Sequence, residues 1–320
     1  MPHTIVAYGE LLWDLLPGGA RLGGAPFNFV YRVNCLGDRG IMISRVGIDD
    51  LGRRALQAVA GLGMETGYIQ TDGEHSTGTV KVSFDRKRNP DFTILPDAAY
   101  DFIEPEAGLR ELAGRADCLC FGTLIQRREV SRNTFGELIA AFRGSFALLD
   151  INLRRDCWSR QSVLGSIERA DILKLNEEEA RLVAGLYGRP TGGPVGREKA
   201  DLPVLADRLL ERTALQMVLI TLGDRGSFAA TREGRKAYHP AFLAKLKDPI
   251  GSGDAFTAGF LHALLGTGSL EEACRYGNAL GAMVAAQEGA TQPLDLAEIE
   301  TFLARAAPGP IDSGLEEYRI

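Results

Sequence analysis

Six short runs are apolar almost from end to end: "TIVAYG" (4–9), "GIMISRVG" (40–47), "ADCLCFGTL" (116–124), "SFALLDIN" (145–152), "DILKLN" (171–176) and "LQMVLITLG" (215–223). A strand with one wet face alternates apolar and polar residues, whereas continuous runs suit strands buried on both faces. Helical patterns fall between the runs, at 25–36, 50–61, 130–142, 177–186, 203–212, 254–265 and 270–286. In "APFNFVYRVNCLG", Phe27, Val30, Tyr31 and Val33 share one helical face and Gly37 stops it. The alternation predicts an α/β chain with a mainly parallel sheet and helices on both sides.

Residues 76–95, "STGTVKVSFDRKRNPDFTIL", depart from this pattern. They alternate on either side of a charged turn containing Asn-Pro, as a hairpin with one exposed face does. Such a hairpin serves equally as a lid or as a plain surface insertion. The segment 188–199, "GRPTGGPVGREK", reads as a flexible loop, and Pro308-Gly309-Pro310 as the start of a loose tail.

Composition removes several classes. With 36 Lys+Arg, 42 Asp+Glu and no long basic run, nucleic acid is not an expected partner. No apolar run reaches the roughly 18 residues of a membrane span, and "MPHTIVAYGELLWDLL" is no secretory leader, so a cytoplasmic protein is expected. Five scattered cysteines without CxxC, and four histidines without HxxxH, give neither a disulfide framework nor a structural zinc site.

The chemistry concentrates at "DPIGSGD" (248–254), which opens the apolar helical stretch "AFTAGFLHALL". A helix N-terminus carries unpaired N–H groups and binds anions, and Gly251 and Gly253 let backbone approach one closely. Asp254 sits in the first turn, where the helix dipole is expected to favour its ionised form. A carboxylate beside an anion cradle suits a base that deprotonates a hydroxyl and aims it at a phosphate; a simple helix cap would carry the same residue. Gly-x-Gly-x-x-Gly fails at Phe256, and Gly-x-Ser-x-Gly fails at Ile250 and Asp254, which removes the dinucleotide fingerprint and the hydrolase elbow.

"DPIGSGDAFTAGF" is similar to the C-terminal signature of the ribokinase-like (PfkB-type) sugar kinases, usually Asp-Thr-x-Gly-Ala-Gly-Asp. "GGAPFNFVYRVNCLG" (23–37), more than 200 residues upstream, resembles their N-terminal signature. "KLNEEEA" (174–180) matches the family's Asn-x-x-Glu element and "ITLGDRG" (220–226) its nucleotide-binding turn. The resemblance implies one domain over 1–320, a three-layer α/β/α sandwich with a small β-lid formed by about 10–24 and 73–104. It also implies an enzyme that phosphorylates a primary hydroxyl of a small sugar with ATP and Mg2+. By the same resemblance, Asp254 is the catalytic base and the backbone N–H groups of Gly251, Ser252, Gly253 and Asp254 form the anion hole. Asn176 and Glu179 organise magnesium through water. Thr221, Gly223, Gly226, Gly253 and Asn278 line the nucleotide site, together with Asn176, and Asp14, Gly23, Gly24 and Asn28 bind the sugar hydroxyls. Asp248 is the carboxylate a potassium ion would take, although Pro249 removes an N–H donor and, relative to Thr, a hydroxyl. Ser252 in place of Ala still permits the turn.

"DINLRRDCW" (150–158) resembles a stretch of bacterial fructokinases and 2-keto-3-deoxygluconate kinases, with Arg154 reaching phosphate or substrate. Fructose is the leading substrate. The keto-acid needs cations for its carboxylate, for which Arg154 and Arg21 are the candidates. A non-catalytic sugar or nucleotide sensor on the same fold and a nicotinamide-dependent dehydrogenase are the readings from other classes. A homodimer through the hairpin at 76–95 is a further expectation.

Overall fold

The computed structural model describes residues 2–16, 18–84, 90–188 and 201–319. Its first strands and helices are β1 (Thr4–Tyr8), β2 (Leu12–Leu16), β3 (Gly19–Gly23), α1 (Ala25–Cys35), β4 (Arg39–Gly47), α2 (Asp50–Gly61), β5 (Ile69–Asp72), β6 (Gly78–Phe84) and β7 (Pro90–Ile94). The middle of the chain gives α3 (Ala107–Arg115), β8 (Cys118–Phe121), α4 (Glu129–Ala141), β9 (Phe146–Asp150), α5 (Arg160–Ile167), β10 (Ile172–Asn176) and α6 (Glu177–Leu186). There follow α7 (Leu202–Arg212), β11 (Met217–Thr221), β12 (Ser227–Thr231), β13 (Lys236–His239), α8 (Ser252–Thr267), α9 (Leu270–Ala285) and α10 (Leu296–Arg305).

One sheet runs β13-β12-β11-β10-β9-β8-β1-β4-β5, and every neighbouring pair from β11 to β5 is parallel. The continuous apolar runs have a direct cause here: Ile5 and Ala7 point into one core and Val6 and Tyr8 into the other, all fully buried. Helices α1, α8 and α9 cover the first face through Phe27, Phe260 and Leu280, while α4, α5 and α6 cover the second through Phe135, Ile167 and Val183. Each such side chain contributes about 1.5–3 kcal/mol by leaving water. The result is an α/β/α sandwich with a mainly parallel sheet.

The smaller sheet, the lid, has the order β3-β2-β6-β7; its outer pairs are antiparallel and β2 lies parallel to β6. The alternating segment at 76–95 thus forms β6 and β7. Its charged turn, 85–89, and the loop expected at 188–199, Gly188 excepted, lie outside the described residues.

Two features differ from the sequence reading. Residues 227–239 add an antiparallel hairpin, β12–β13, to the sheet edge; β12 is buried on both faces, so no alternation marks it. The stretch from Pro308 onward is strapped down rather than loose: Gly309 N–H donates to Ala241 O at 2.6 Å, Asp312 N–H to the Tyr238 hydroxyl at 3.0 Å, and Leu315 is buried. Among the described residues no helix is long and apolar enough to cross a membrane.

Candidate active site

The loops that leave the C-terminal ends of parallel strands share one side of the sheet, where open α/β folds place ligands. Here they meet the N-terminus of α8 and the lid. A cavity of about 360 Å3 lies between them, lined by Asp14, Gly24, Asn28, Arg154, Gly251, Gly253 and Asp254 among others. Those seven were all expected from the sequence. Glu10 and Lys174, which were not, line it too.

Gly251 caps α8 with φ 78°, and a Cβ there would come within 2.4 Å of Ala290 Cβ, so only glycine fits. The Ser252 N–H is turned back to Pro249 O at 3.2 Å, and its hydroxyl donates to the same carbonyl at 2.7 Å. The N–H groups of Gly251, Gly253 and Asp254 have no such partner among the described residues, which leaves them for an anion. Asp248 lies behind this turn. Its carboxylate accepts the N–H groups of Ile250 and Gly289 at 3.0 and 3.1 Å, and Arg21 of β3 stands 3.4 Å away while also pairing with Glu288.

Asp254 Oδ2 accepts a 2.8 Å hydrogen bond from Asn28 Nδ2, a side chain on α1 only 5% exposed. Asn28 is therefore no helix-surface residue, and its Oδ1 is buried without a partner among the described residues. Burial pushes the Asp254 carboxyl up to about 6; Asp150 pushes the same way, and Asn28, Lys174 and Arg154 oppose them. Glu10 accepts the Ala25 N–H at 3.2 Å, and burial raises its carboxyl to about 7. Burial likewise raises Asp14, with Arg154 opposing. Gly23 and Gly24 shape the entry. The Asp14 carboxylate lies against Gly23, and at Gly24 (φ 115°) a Cβ would strike Glu10 O at 2.3 Å. The backbone turns left-handed at Asn152 (φ 38°), a conformation Asn tolerates, and Arg154 follows with no ion-pair partner among the described residues.

Asn176 and Glu179 form a reciprocal cap at the start of α6: Glu179 N–H donates to Asn176 Oδ1 at 2.9 Å and Asn176 N–H to Glu179 Oε2 at 2.8 Å. Glu179 Oε1 also accepts the Leu153 N–H at 2.8 Å. Among the described residues no cluster of three His, Cys, Asp or Glu side chains could hold a metal directly. The donors present suit an ion held through its own water shell.

Thr221 ends β11 opposite Asn176 of β10. Beyond it Gly223 (φ 63°) and Gly226 (φ 98°) form a tight turn, and a Cβ on Gly226 would lie 2.0 Å from His239 O. Asn278 of α9 holds the same carbonyl, its Nδ2 donating to His239 O at 2.8 Å. These residues do not line the 360 Å3 cavity; they form a second, backbone-walled cluster along the sheet from it. Glu10, Lys174 and Asp150 escaped the sequence reading: Glu10 follows β1, Lys174 is the middle residue of β10 and Asp150 ends β9, and the charges of Lys174 and Asp150 inside apolar runs were the signal available.

A family model described as pfkB family carbohydrate kinase matches residues 18–297. A fructokinase of Klebsiella pneumoniae is 32% identical over 281 residues, 84% of this chain and 86% of its own. A sugar kinase of Pyrococcus horikoshii, solved in complex with ATP, superposes with a TM-score of 0.75 at 26% identity, covering 92% of this chain and 96% of its own. For the fold alone, a fructokinase of Xylella fastidiosa superposes at TM-score 0.80 and 20% identity over 94% of this chain and 98% of its own.

Proposed function

The chain belongs to the pfkB family of carbohydrate kinases, and from that premise we propose that it transfers the γ-phosphate of ATP to a primary hydroxyl of fructose. One observation carries the site assignment: Asp254, anchored by Asn28, faces the cavity in the same helical turn as the unpartnered N–H groups of Gly253 and Asp254. The base and the anion cradle are adjacent by construction.

In this reading Asp254 takes the proton of the sugar hydroxyl and Asn28 keeps its carboxylate aimed. Asp14, half-buried at the cavity, and Oδ1 of Asn28, buried without a partner among the described residues, bind neighbouring hydroxyls as acceptors. The N–H groups at the start of α8 and the guanidinium of Arg154 hold the phosphoryl oxygens. Thr221, Gly223, Gly226 and Asn278 shape the nucleotide end. Asn176 and Glu179 hold magnesium through water, and that ion, when bound, neutralises charge on the phosphates. The lid, about 10–24 and 73–104, excludes water on closing.

A second reading, 2-keto-3-deoxygluconate as acceptor, draws on Arg154, a cavity cation with no ion-pair partner among the described residues; Arg21 is engaged by Asp248 and Glu288. We read residues 1–320 as one domain acting in the cytoplasm, where ATP is supplied and free cysteines stay reduced. A homodimer is proposed through the lid, whose β3 and β7 are open edges of the small sheet; an oligomer mass unchanged by removal of β6–β7 would exclude it. The test of function is Mg-dependent ADP release with fructose, 2-keto-3-deoxygluconate, ribose, tagatose and nucleosides. Preference for fructose supports the reading, preference for the keto-acid selects the second, and binding without turnover by any of them overturns both.

A further inference from the structure

Strands β9 and β10 are apolar and fully buried at Leu148, Leu149, Leu173 and Leu175, yet an ion pair sits among them. Lys174, 8% exposed, faces Asp150 across the parallel register, with its Nζ 3.1 Å from each carboxylate oxygen. Burying such a pair costs several kcal/mol in desolvation that apolar residues would avoid, so stability does not explain it.

The pair is aimed. Thr257 of α8 places its hydroxyl 3.0 Å from Asp150 Oδ2, fixing the carboxylate from the far side. A Cβ on Gly253 would lie 3.4 Å from Lys174 Nζ, so the ammonium reaches the first turn of α8 across a position that has no side chain. Lys174 lines the cavity together with Gly253 and Asp254. An ammonium has three donors, and Asp150 is its only hydrogen-bond partner among the described residues, leaving at least one donor for the cavity.

We propose that Lys174 is a catalytic residue whose ammonium, held by Asp150, donates to the transferred phosphoryl group as it passes Gly253. The inference rests on the kinase reading above and extends it. In the step, the sugar O–H bond breaks and its proton goes to Asp254. The sugar oxygen bonds to the γ-phosphorus, and the bond from that phosphorus to the bridging oxygen breaks, its electron pair leaving with ADP. Lys174 exchanges no proton; it opposes the charge spread over the phosphoryl oxygens from the strand side, while the α8 N–H groups oppose it from the helix side.

The experiment compares the full chain with Lys174→Met, Lys174→Arg and the double variant Lys174→Met/Asp150→Asn, by sugar-dependent ADP release and thermal melting. The double variant leaves no orphan carboxylate and keeps the test alive if Lys174→Met fails to fold. Expected is a fall in kcat of about 10^2–10^3-fold in both Met variants. KM for sugar and ATP should stay within about threefold, with partial recovery in Lys174→Arg, since a structural loss would not divide kcat from KM in this way. A folded double variant with kcat within about threefold of wild type, or a loss confined to KM, overturns the proposal. A wild type silent toward every sugar overturns the kinase reading and this role with it; turnover in the wild type with no effect of the substitutions overturns this role alone.

Discussion

Around Asp254 the chain gathers charge: Glu10, Asp14, Arg154 and Lys174 line one cavity, Asp150 lies beneath it, and both Glu10 and Asp254 are pushed toward neutrality by burial. Around Gly226 it gathers backbone instead. Two glycines with positive φ and the His239 carbonyl, held by the amide of Asn278, define the surface there. The difference follows the work each end does. On the proposed reading, a group that accepts a proton is made by an uncomfortable environment, whereas the flat base of a nucleotide is received by shape.

Replacing Asp254 by Asn keeps the shape and removes the proposed base. Turnover should fall by about 10^3-fold while ATP binding, followed by calorimetry, is retained; a fall of less than tenfold would mean that the charges around α8 serve something other than proton transfer. Gly226→Val inverts the test. A side chain at φ 98° and 2.0 Å from His239 O should cost about 1–3 kcal/mol in denaturant unfolding and raise KM for ATP about tenfold, with KM for the sugar unchanged.

Asn28→Ala should act through pH. If Asp254 is the proposed base it must be ionised to accept a proton, so activity is expected to fall as pH drops through its value of about 6. The Asn28 hydrogen bond lowers that value, so its removal should move the acid limb of kcat/KM up by about one pH unit, the size expected for a hydrogen bond to a charged group. An unmoved limb would assign the limb to Glu10. Asn278→Ala should do least: about 1 kcal/mol of stability and a few-fold rise in KM for ATP, with no change in pH profile.

The reach of the sequence follows the same division. Gly251, Gly253 and Asp254 were legible because helix entry is local, and the sheet because strands buried on two faces leave unbroken apolar runs. Gly226 was legible as a turn. The partner of Asp254 was not, since Asn28 stands 226 positions away and only the packing of α1 on α8 brings them together. Lys174 and Asp150 meet through strand order, which no pattern within either strand encodes. Glu10 reads as a lone polar residue between two apolar strands until the fold closes over it. The strap after Pro308 was missed because Pro-Gly-Pro shows that a helix cannot continue but not what the chain lies against.

Strand β3 ends at Gly23, Gly24 turns the chain, and Asn28 reaches Asp254 from the first turn of α1. In this stretch chain length matters as much as chemistry. One residue added or removed within α1 ahead of Asn28 would turn that side chain by about 100° around the helix axis. A new amino acid can be accommodated by its neighbours, but a shifted register cannot, so residues 24–28 are expected to tolerate exchange at some positions and insertion or deletion at none.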